Sequence, residues 1–160
     1  MAMRGHAKVL SQKTRYALKA LVFLAEAQKE GKGPVLISDL AKKGRMPQKF
    51  LEAILLELKN QGILQSKKGK GGGYSLAQDA EEIKIGQVVR SLEGPLALLP
   101  CASQRHRGCD ECKDDEGLGI RTLFKEVRDA TAGILDGASL AKVVHVQDKV
   151  RQNKQLMYFI

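Results

Sequence analysis

The side chains best suited to bind a metal are three cysteines in the second half of the chain. Cys101, Cys109 and Cys112 have the spacing C-x7-C-x2-C, in a stretch that contains glycine and shows no helical or strand periodicity. Thiolates are soft ligands that bind iron–sulfur clusters and zinc. We expect a metal centre here, because clustered cysteines in a chain without a disulfide framework usually have a chemical role. Either centre needs a fourth ligand, for which the candidates are a side chain of a second subunit or His106, Asp110, Glu111 or Asp114.

Two other interpretations of the cysteines stay open. The C-x2-C pair could form a thiol redox switch, and the three thiols could also lie unligated in an irregular loop. A thiol–disulfide enzyme is disfavoured, because no strand precedes the pair as it does in a thioredoxin-like βαβ unit. An odd number of cysteines also suits free thiols or a metal in a reducing compartment better than a disulfide framework.

A second group of side chains suited to binding lies between Lys67 and Gly73, where the sequence is KKGKGGG. Three consecutive glycines let the backbone adopt conformations that other residues avoid and approach a partner closely. Lysines on such a bend can neutralise the phosphates of DNA, which supply much of protein–DNA affinity. Taken alone, the run could also be a solvated hairpin. A P-loop is excluded, because the glycines follow the lysines and lead into a strand rather than a helix.

The elements before this run are those of a winged helix-turn-helix. A short helix is predicted after Ser38, whose hydroxyl can act as the N-cap, and Gly44 would end it. Pro47 suits the first turn of a longer second helix. The apolar face of that helix comprises Phe50, Leu51, Ile54, Leu55 and Leu58. Strands at 63–66 and 74–76 would then form the wing, and the second helix of this motif enters the major groove.

Further helices are predicted on either side of the winged motif. Ser11 is a suitable N-cap for a helix from about Gln12 to Lys29, whose first turn carries Lys13 and Arg15. These two basic side chains could contact phosphates, and a solvated basic turn is the alternative. A short strand at 35–37 could pair beside the wing, and a short helix is predicted at 85–92.

The C-terminal third predicts a dimer. The fifth predicted helix, α5, runs from about Ile120 to Leu135. It carries a continuous apolar stripe, called here the α5 stripe: Ile120, Leu123, Phe124, Val127, Thr131, Ile134 and Leu135. Little else in the chain is large enough to cover this stripe. A second copy of the same helix would cover it and give a two-fold dimer. The alternative is that the helix folds back on its own winged domain. A last helix is predicted to start near Ser139.

The composition favours an acidic polymer as partner. The 160-residue chain has a net charge of +9 and a pI near 9.6. Aromatic residues make up only 4% and tryptophan is absent, which argues against a protein that stacks single-stranded bases. The sequence shows no apolar run of membrane-spanning length and no signal-peptide core near its start. We therefore expect a cytoplasmic protein with no membrane partner.

With these motifs, the sequence resembles the Rrf-two family of bacterial transcription regulators over about residues 10–144. The resemblance is carried by LSQKTRYAL from Leu10, ISDLA from Ile37, FLE from Phe50, GKGGGYSL from Gly69 and IGQVV from Ile85. Residues 56–62, Cys101 and residues 123–140 match as well.

The resemblance implies a homodimer with a winged helix and a crossing C-terminal helix. It also implies that Gln48, Lys49 and Glu52 face base edges, with the wing on the DNA backbone or in the minor groove. Many members of the family bind a [2Fe–2S] or [4Fe–4S] cluster through three cysteines and sense iron, redox state or nitric oxide. Other members bind no cluster.

The predicted fold is mainly α-helical with a small β-wing, and the predicted function is a homodimeric, non-enzymatic regulator that binds double-stranded DNA at a pseudo-palindromic operator. The predicted units are a winged helix-turn-helix (10–80), a short helix with a cysteine-containing sensor segment (81–118), dimerisation helices (119–150) and a tail (151–160). The predicted DNA contacts are Lys13, Arg15, Ser38, Gln48, Lys49, Glu52, Lys59, Lys67, Lys68, Lys70, Gly71, Gly72 and Tyr74. The alternatives are a cluster-free regulator controlled by a metabolite or partner protein, a thiol or zinc switch, and an RNA-binding protein.

Overall fold

Helices make up most of the residues that the structure describes, together with a two-stranded antiparallel sheet. The computed structural model describes residues 10–104 and 118–157, with side chains up to residue 154. The elements are α1 (Gln12–Lys29), α2 (Ile37–Gly44), α3 (Gln48–Asn60), β1 (Leu64–Lys67), β2 (Gly73–Leu76), α4 (Ile85–Glu93), a 3-10 helix (Pro100–Ala102), α5 (Leu118–Asp136) and α6 (Leu140–Met157). This confirms the predicted fold class. Within the described ranges, no helix combines the length and apolar character needed to cross a membrane.

The first three helices pack around one apolar core. Leu21 of α1, Leu40 of α2 and Leu51 and Leu55 of α3 are almost completely buried in it. Full burial of a leucine side chain contributes about 1.5–3 kcal/mol relative to exposure. The inner face of α3 is thereby held against α1 and α2, so its opposite face points to solvent.

Phe50 was predicted on the buried face of α3, and this is wrong. Its side chain is 39% exposed, and its ring packs edge-on against Tyr16, with centroids 5.8 Å apart at 71°. A helix turns by about 100° per residue, so Phe50 falls at the edge of the stripe that Leu51 centres. The aromatic pair joins α3 to α1 at the rim of the core.

The start of α2 also differs from the prediction. Leu36 is the N-cap residue, and Ser38 lies exposed inside the first turn, so Ser38 does not cap the helix. The carbonyl of Leu36 already accepts hydrogen bonds from the backbone N–H groups of Asp39 and Leu40, both at 3.1 Å. The predicted strand at 35–37 is reduced to a single bridge between Val35 and Tyr74.

The end of the chain is more helical than predicted. α6 continues to Met157, so the predicted division at residue 150 falls inside one helix. Its first turn is joined to the start of α4, because Leu140 N–H donates to the Ile83 carbonyl (2.8 Å) and Ile85 N–H donates to the Ala138 carbonyl (2.9 Å). The division of the chain into units remains a prediction.

Candidate nucleic-acid interface

The outer face of α3 carries the polar side chains that were predicted to read DNA. Gln48, Lys49, Glu52 and Lys59 are all exposed, while Leu51 and its neighbours on the inner face are buried. Gln48 lies near Glu52, with its Nε2 atom 3.5 Å from the Glu52 Oε1 atom. Neither side chain is committed to the core, so both are available to a ligand.

Sequence reasoning missed three further residues on this face. Ala53, Leu56 and Asn60 are exposed, and they follow Lys49 and Glu52 at helical spacing. Leu56 is 51% exposed although it is apolar. Continuing the helical period outward from Lys49 would have found all three. Small apolar side chains on such a face can contact the methyl group of thymine in the major groove.

The wing is a short hairpin whose tip is built from glycines. β1 pairs with β2 from Leu64 opposite Leu76 to Lys67 opposite Gly73. Gly72 N–H donates to the Gly69 carbonyl at 2.9 Å and closes the tip. Gly69, Gly71 and Gly73 have positive φ angles, which other residues adopt only with strain. The tip is therefore a defined turn with glycine at its strained positions.

The predicted wing residues divide into two groups. Lys67, Lys68, Lys70 and Gly71 are exposed at the tip. Gly72 is buried and Tyr74 is half-buried against the Val35 segment, so both shape the hairpin. Contact of any of these residues with DNA stays a prediction.

The basic residues at the start of α1 lie in different surroundings. The Lys13 Nζ atom is 2.7 Å from the Glu57 Oε2 atom of α3, so this ion pair partly neutralises it. Arg15 is exposed. The pairing connects the first turn of α1 to the second half of α3, which favours a structural role for Lys13 beside any phosphate contact.

A hydrogen-bonded link joins the start of α1 to the end of α4. The Glu93 Oε1 atom accepts hydrogen bonds from the backbone N–H (2.8 Å) and the hydroxyl (2.6 Å) of Ser11. The Ser11 hydroxyl and the Thr14 side chain lower the pKa of Glu93 below its ordinary value. Glu93 is the last residue of α4, and the chain continues from it to Cys101. The link therefore ties this end of α4 to the start of α1, which packs against α3.

One predicted metal ligand, Cys101, lies within the described residues. It is buried (6% exposed) in the 3-10 helix, next to α5. Arg121 Nε donates to the Cys101 carbonyl at 3.2 Å, and Arg128 donates to the Ala102 carbonyl. Cys109, Cys112 and the candidate fourth ligands lie outside the described residues. Among the residues that are described, no group of three metal-binding side chains occurs.

The donor set of this segment suits a soft metal centre. Three thiols are present in the segment, and two arginines of α5 donate hydrogen bonds to the backbone carbonyls of the first of them, Cys101, and of the next residue, Ala102. Thiolates are the ligands by which proteins hold iron–sulfur clusters and many zinc ions. The residues present therefore fit an iron–sulfur cluster or a zinc ion.

Comparison with known proteins now identifies the family. Residues 10–146 match the family model described as "Rrf2: Iron-dependent Transcriptional regulator". The chain belongs to the Rrf2 family. Its relatives are named as transcriptional regulators, so the chain is a DNA-binding transcriptional regulator and not an enzyme.

Several relatives of this Rrf2-family chain have been described. An rrf2-like helix-turn-helix transcriptional regulator of Rhodobacter capsulatus is 38% identical over 134 residues, which cover 82% of this chain and 89% of the relative. The regulator IscR of Serratia proteamaculans is 30% identical and covers 87% of this chain and 80% of its own length. Among solved structures, CymR, the global cysteine regulator of Bacillus subtilis, superposes with a TM-score of 0.72 at 28% identity, covering 88% of this chain and 98% of CymR.

The α5 helix of this Rrf2-family chain lies on the surface. None of its described side chains is buried, and the α5 stripe includes Ile120, Leu123 and Ile134, which are more than half exposed. Leu135 packs partly against the core of its own chain. Among the residues that the structure describes, little therefore covers most of the α5 stripe.

Proposed function

We propose that this Rrf2-family chain acts as a homodimer that reads a pseudo-palindromic operator in double-stranded DNA. The observation that carries the proposal is the exposed polar face of α3 next to a lysine-tipped wing. Gln48, Lys49 and Glu52 would contact base edges in the major groove, and the wing lysines would contact phosphates. The net charge of +9 supports an acidic polymer as ligand.

The exposed α5 stripe supports the homodimer. Apolar area of this kind on one chain is stabilised when a second copy covers it, and a two-fold axis uses the same patch twice. Such an axis would present two α3 helices to two half-sites about 34 Å apart, one turn of duplex. We place this activity in the cytoplasm.

Replacing Lys67 with alanine is expected to weaken binding to all duplex sequences by a similar factor. Removing one phosphate contact should also lower the slope of log affinity against log salt concentration by about one unit. Fluorescence anisotropy titrations at several salt concentrations measure both quantities. Lys154→Ala removes an equal charge from exposed α6 and is the matched control, which should leave the slope unchanged. An unchanged affinity and slope for Lys67→Ala would contradict the docking geometry.

Two further experiments test the proposal: one separates base contacts from phosphate contacts, and the other compares DNA with RNA as the ligand. Side chains that read bases change sequence preference, so Glu52→Ala should alter the sequences enriched by in vitro selection. Competition between duplex DNA and duplex RNA tests the RNA-binding alternative. Stronger competition by the RNA would favour that alternative.

We further propose that Cys101, Cys109 and Cys112 form the ligand set of a sensor. The family description as iron-dependent supports iron, and the donor set also permits zinc. When bound, an iron–sulfur cluster would supply a group whose charge and integrity depend on redox state. Arg121 of α5 would fix the position of one of these ligands, because it donates a hydrogen bond to the Cys101 carbonyl.

Anaerobic purification is expected to give a brown protein whose visible absorbance is lost in Cys101→Ala. The substitution removes one thiolate ligand and leaves a small side chain in a buried position, so the fold should persist. Absorbance spectra with iron and sulfide analysis measure the cluster, and far-ultraviolet circular dichroism reports on the fold. A colourless, iron-free protein after reconstitution would instead leave a zinc site, a thiol switch or a cluster-free regulator.

A further inference from the structure

One buried carboxylate, Glu26 on α1, is shared by two other elements. Its side chain is 10% exposed. The Oε2 atom accepts a hydrogen bond from Lys43 Nζ at 2.8 Å. The Oε1 atom accepts from Gln147 Nε2 at 2.7 Å and from Arg151 Nη1 at 2.8 Å. Glu26 therefore joins the end of α2 to the second half of α6.

On the side of α2, the contact reaches the turn of the helix-turn-helix. Lys43 lies in the last helical turn, and its ammonium also sits 4.4 Å from the centre of the Phe23 ring. Lys19 Nζ donates to the Gly44 carbonyl at 2.6 Å. These two lysines fasten the turn to α1, and the direction of α3 follows from the geometry of that turn.

The turn itself has little freedom. Arg45 adopts a left-handed conformation (φ 52°), and the Met46 side chain is buried against Gly44. A small displacement of Lys43 is therefore expected to move α3 as a unit, because the tightly packed turn cannot absorb it.

On the side of α6, Leu140 and Val144 are buried in the core, and the part of the helix beyond them is held by polar and ionic contacts. Arg151 also lies 3.7 Å from Asp148, which in turn pairs with Lys29 of α1 at 2.9 Å. Val146 and Val150 are exposed and contribute little to the contact with α1. α6 follows α5 after a short connection, so the position of α6 depends on the helix that we propose to be the dimer interface.

Burial raises the pKa of Glu26, but the hydrogen bonds from Lys43 and Arg151 outweigh it and hold the pKa below its ordinary value. The carboxylate is therefore charged at neutral pH. Removing one partner from a mostly buried charge leaves it incompletely compensated, and the remaining partners shift to accommodate it.

We propose that Glu26 is a positioning residue for DNA recognition, through which Arg151 of α6 sets the placement of the helix-turn-helix turn and hence of α3. This inference rests on the proposed function, in which α3 reads base edges. It gives the C-terminal helices an influence on sequence-specific binding that requires no contact between Arg151 and DNA.

The test uses the full-length chain and two duplexes, one selected in vitro by the unmodified protein and one of random sequence. Glu26→Gln and Arg151→Ala are each expected to lower affinity for the selected duplex about tenfold and to change affinity for the random duplex less than about twofold. Specific binding needs the correct placement of α3, whereas binding to random duplex depends mainly on charge. Lys149→Ala removes one exposed charge from the same helix and is the matched control, which should affect both duplexes equally.

A double-mutant comparison separates positioning from a simple loss of charge. Arg151→Ala should have little further effect on specific binding in the Glu26→Gln background, because its influence passes through that carboxylate. Arg151→Lys keeps the charge and should restore part of the specific affinity. If Glu26→Gln fails to fold, Arg151→Ala and Arg151→Lys at a half-exposed position carry the test.

Three results would overturn the proposal. These are an unchanged ratio of specific to random affinity in Arg151→Ala, an effect equal to that of Lys149→Ala, and full additivity with Glu26→Gln. Lys67→Ala, measured in parallel, separates a failure of the positioning role from a failure of the proposed function. If Lys67→Ala weakens both duplexes while Arg151→Ala changes neither, the positioning role is wrong and the proposed function stands. If selection enriches no sequence, both are wrong.

Discussion

Replacing Ile134 with glutamate is expected to convert the proposed homodimer into monomers and to abolish tight binding of a duplex with two half-sites. Ile134 is 73% exposed within one chain and lies in the α5 stripe. A carboxylate in an apolar interface loses its hydration without gaining a partner. Monomers lose the benefit of two linked half-sites, so the apparent affinity should fall by about 100-fold or more. Light scattering after size exclusion measures the mass, and titration of a selected duplex measures the affinity.

The control for Ile134→Glu lies on the opposite face of α5. Thr122→Glu adds the same charge at an exposed position outside the α5 stripe and should leave both mass and affinity unchanged. A dimer that persists in Ile134→Glu would show that the α5 stripe is covered differently. The alternative would then be contact with the winged domain of the same chain.

Replacing Gly73 with alanine is expected to disrupt the wing and most DNA binding with it. Gly73 has a φ angle of 141°, and a Cβ atom there would lie 2.3 Å from the Val35 carbonyl oxygen. That oxygen accepts the Tyr74 N–H bond at 2.8 Å, and Val35 N–H donates to the Tyr74 carbonyl at 2.8 Å. Strain and the loss of this pair of bonds together should destabilise the chain by about 3 kcal/mol. Thermal unfolding and duplex titration measure the two effects.

The matched control for Gly73→Ala is Gly33→Ala. Gly33 has an ordinary φ angle, and a Cβ atom there would meet nothing within 4 Å, so this substitution should change neither stability nor affinity. Full DNA affinity in Gly73→Ala would mean that the wing does not contact the duplex. Unchanged stability would mean that the Val35 segment moves freely to accept the methyl group.

The local pattern of the sequence was sufficient to predict most of the helices and strands of the DNA-binding unit. The start and end of α1 agree with the prediction from Ser11 and the apolar period. The glycine run correctly placed the hairpin turn, although β1 begins one residue later than predicted. These features depend on residues within a few positions of one another, whose steric and hydrogen-bonding preferences act locally.

Two other expectations were wrong, because the local sequence allowed more than one arrangement of the N-cap of α2 and of the Phe50 side chain. Ser38 is a good capping residue, yet Leu36 is the N-cap of α2, where its extended backbone follows the bridge between Val35 and the wing. Phe50 is apolar and at helical spacing, yet its ring finds Tyr16 at the surface instead of the core. In both cases a contact with a distant part of the chain decided between alternatives that are nearly equal locally.

By itself, the sequence determined a basic, mainly helical chain with a lysine-tipped glycine turn, an apolar stripe on its fifth helix and three clustered thiols. These properties follow from residue type and short-range spacing. Only the tertiary structure decided that Glu26 meets Arg151, 125 positions away, and that Ser11 meets Glu93. The physical reason is that a charged or polar side chain pairs with groups that are close to it in the folded molecule, and no periodicity along the chain records that distance.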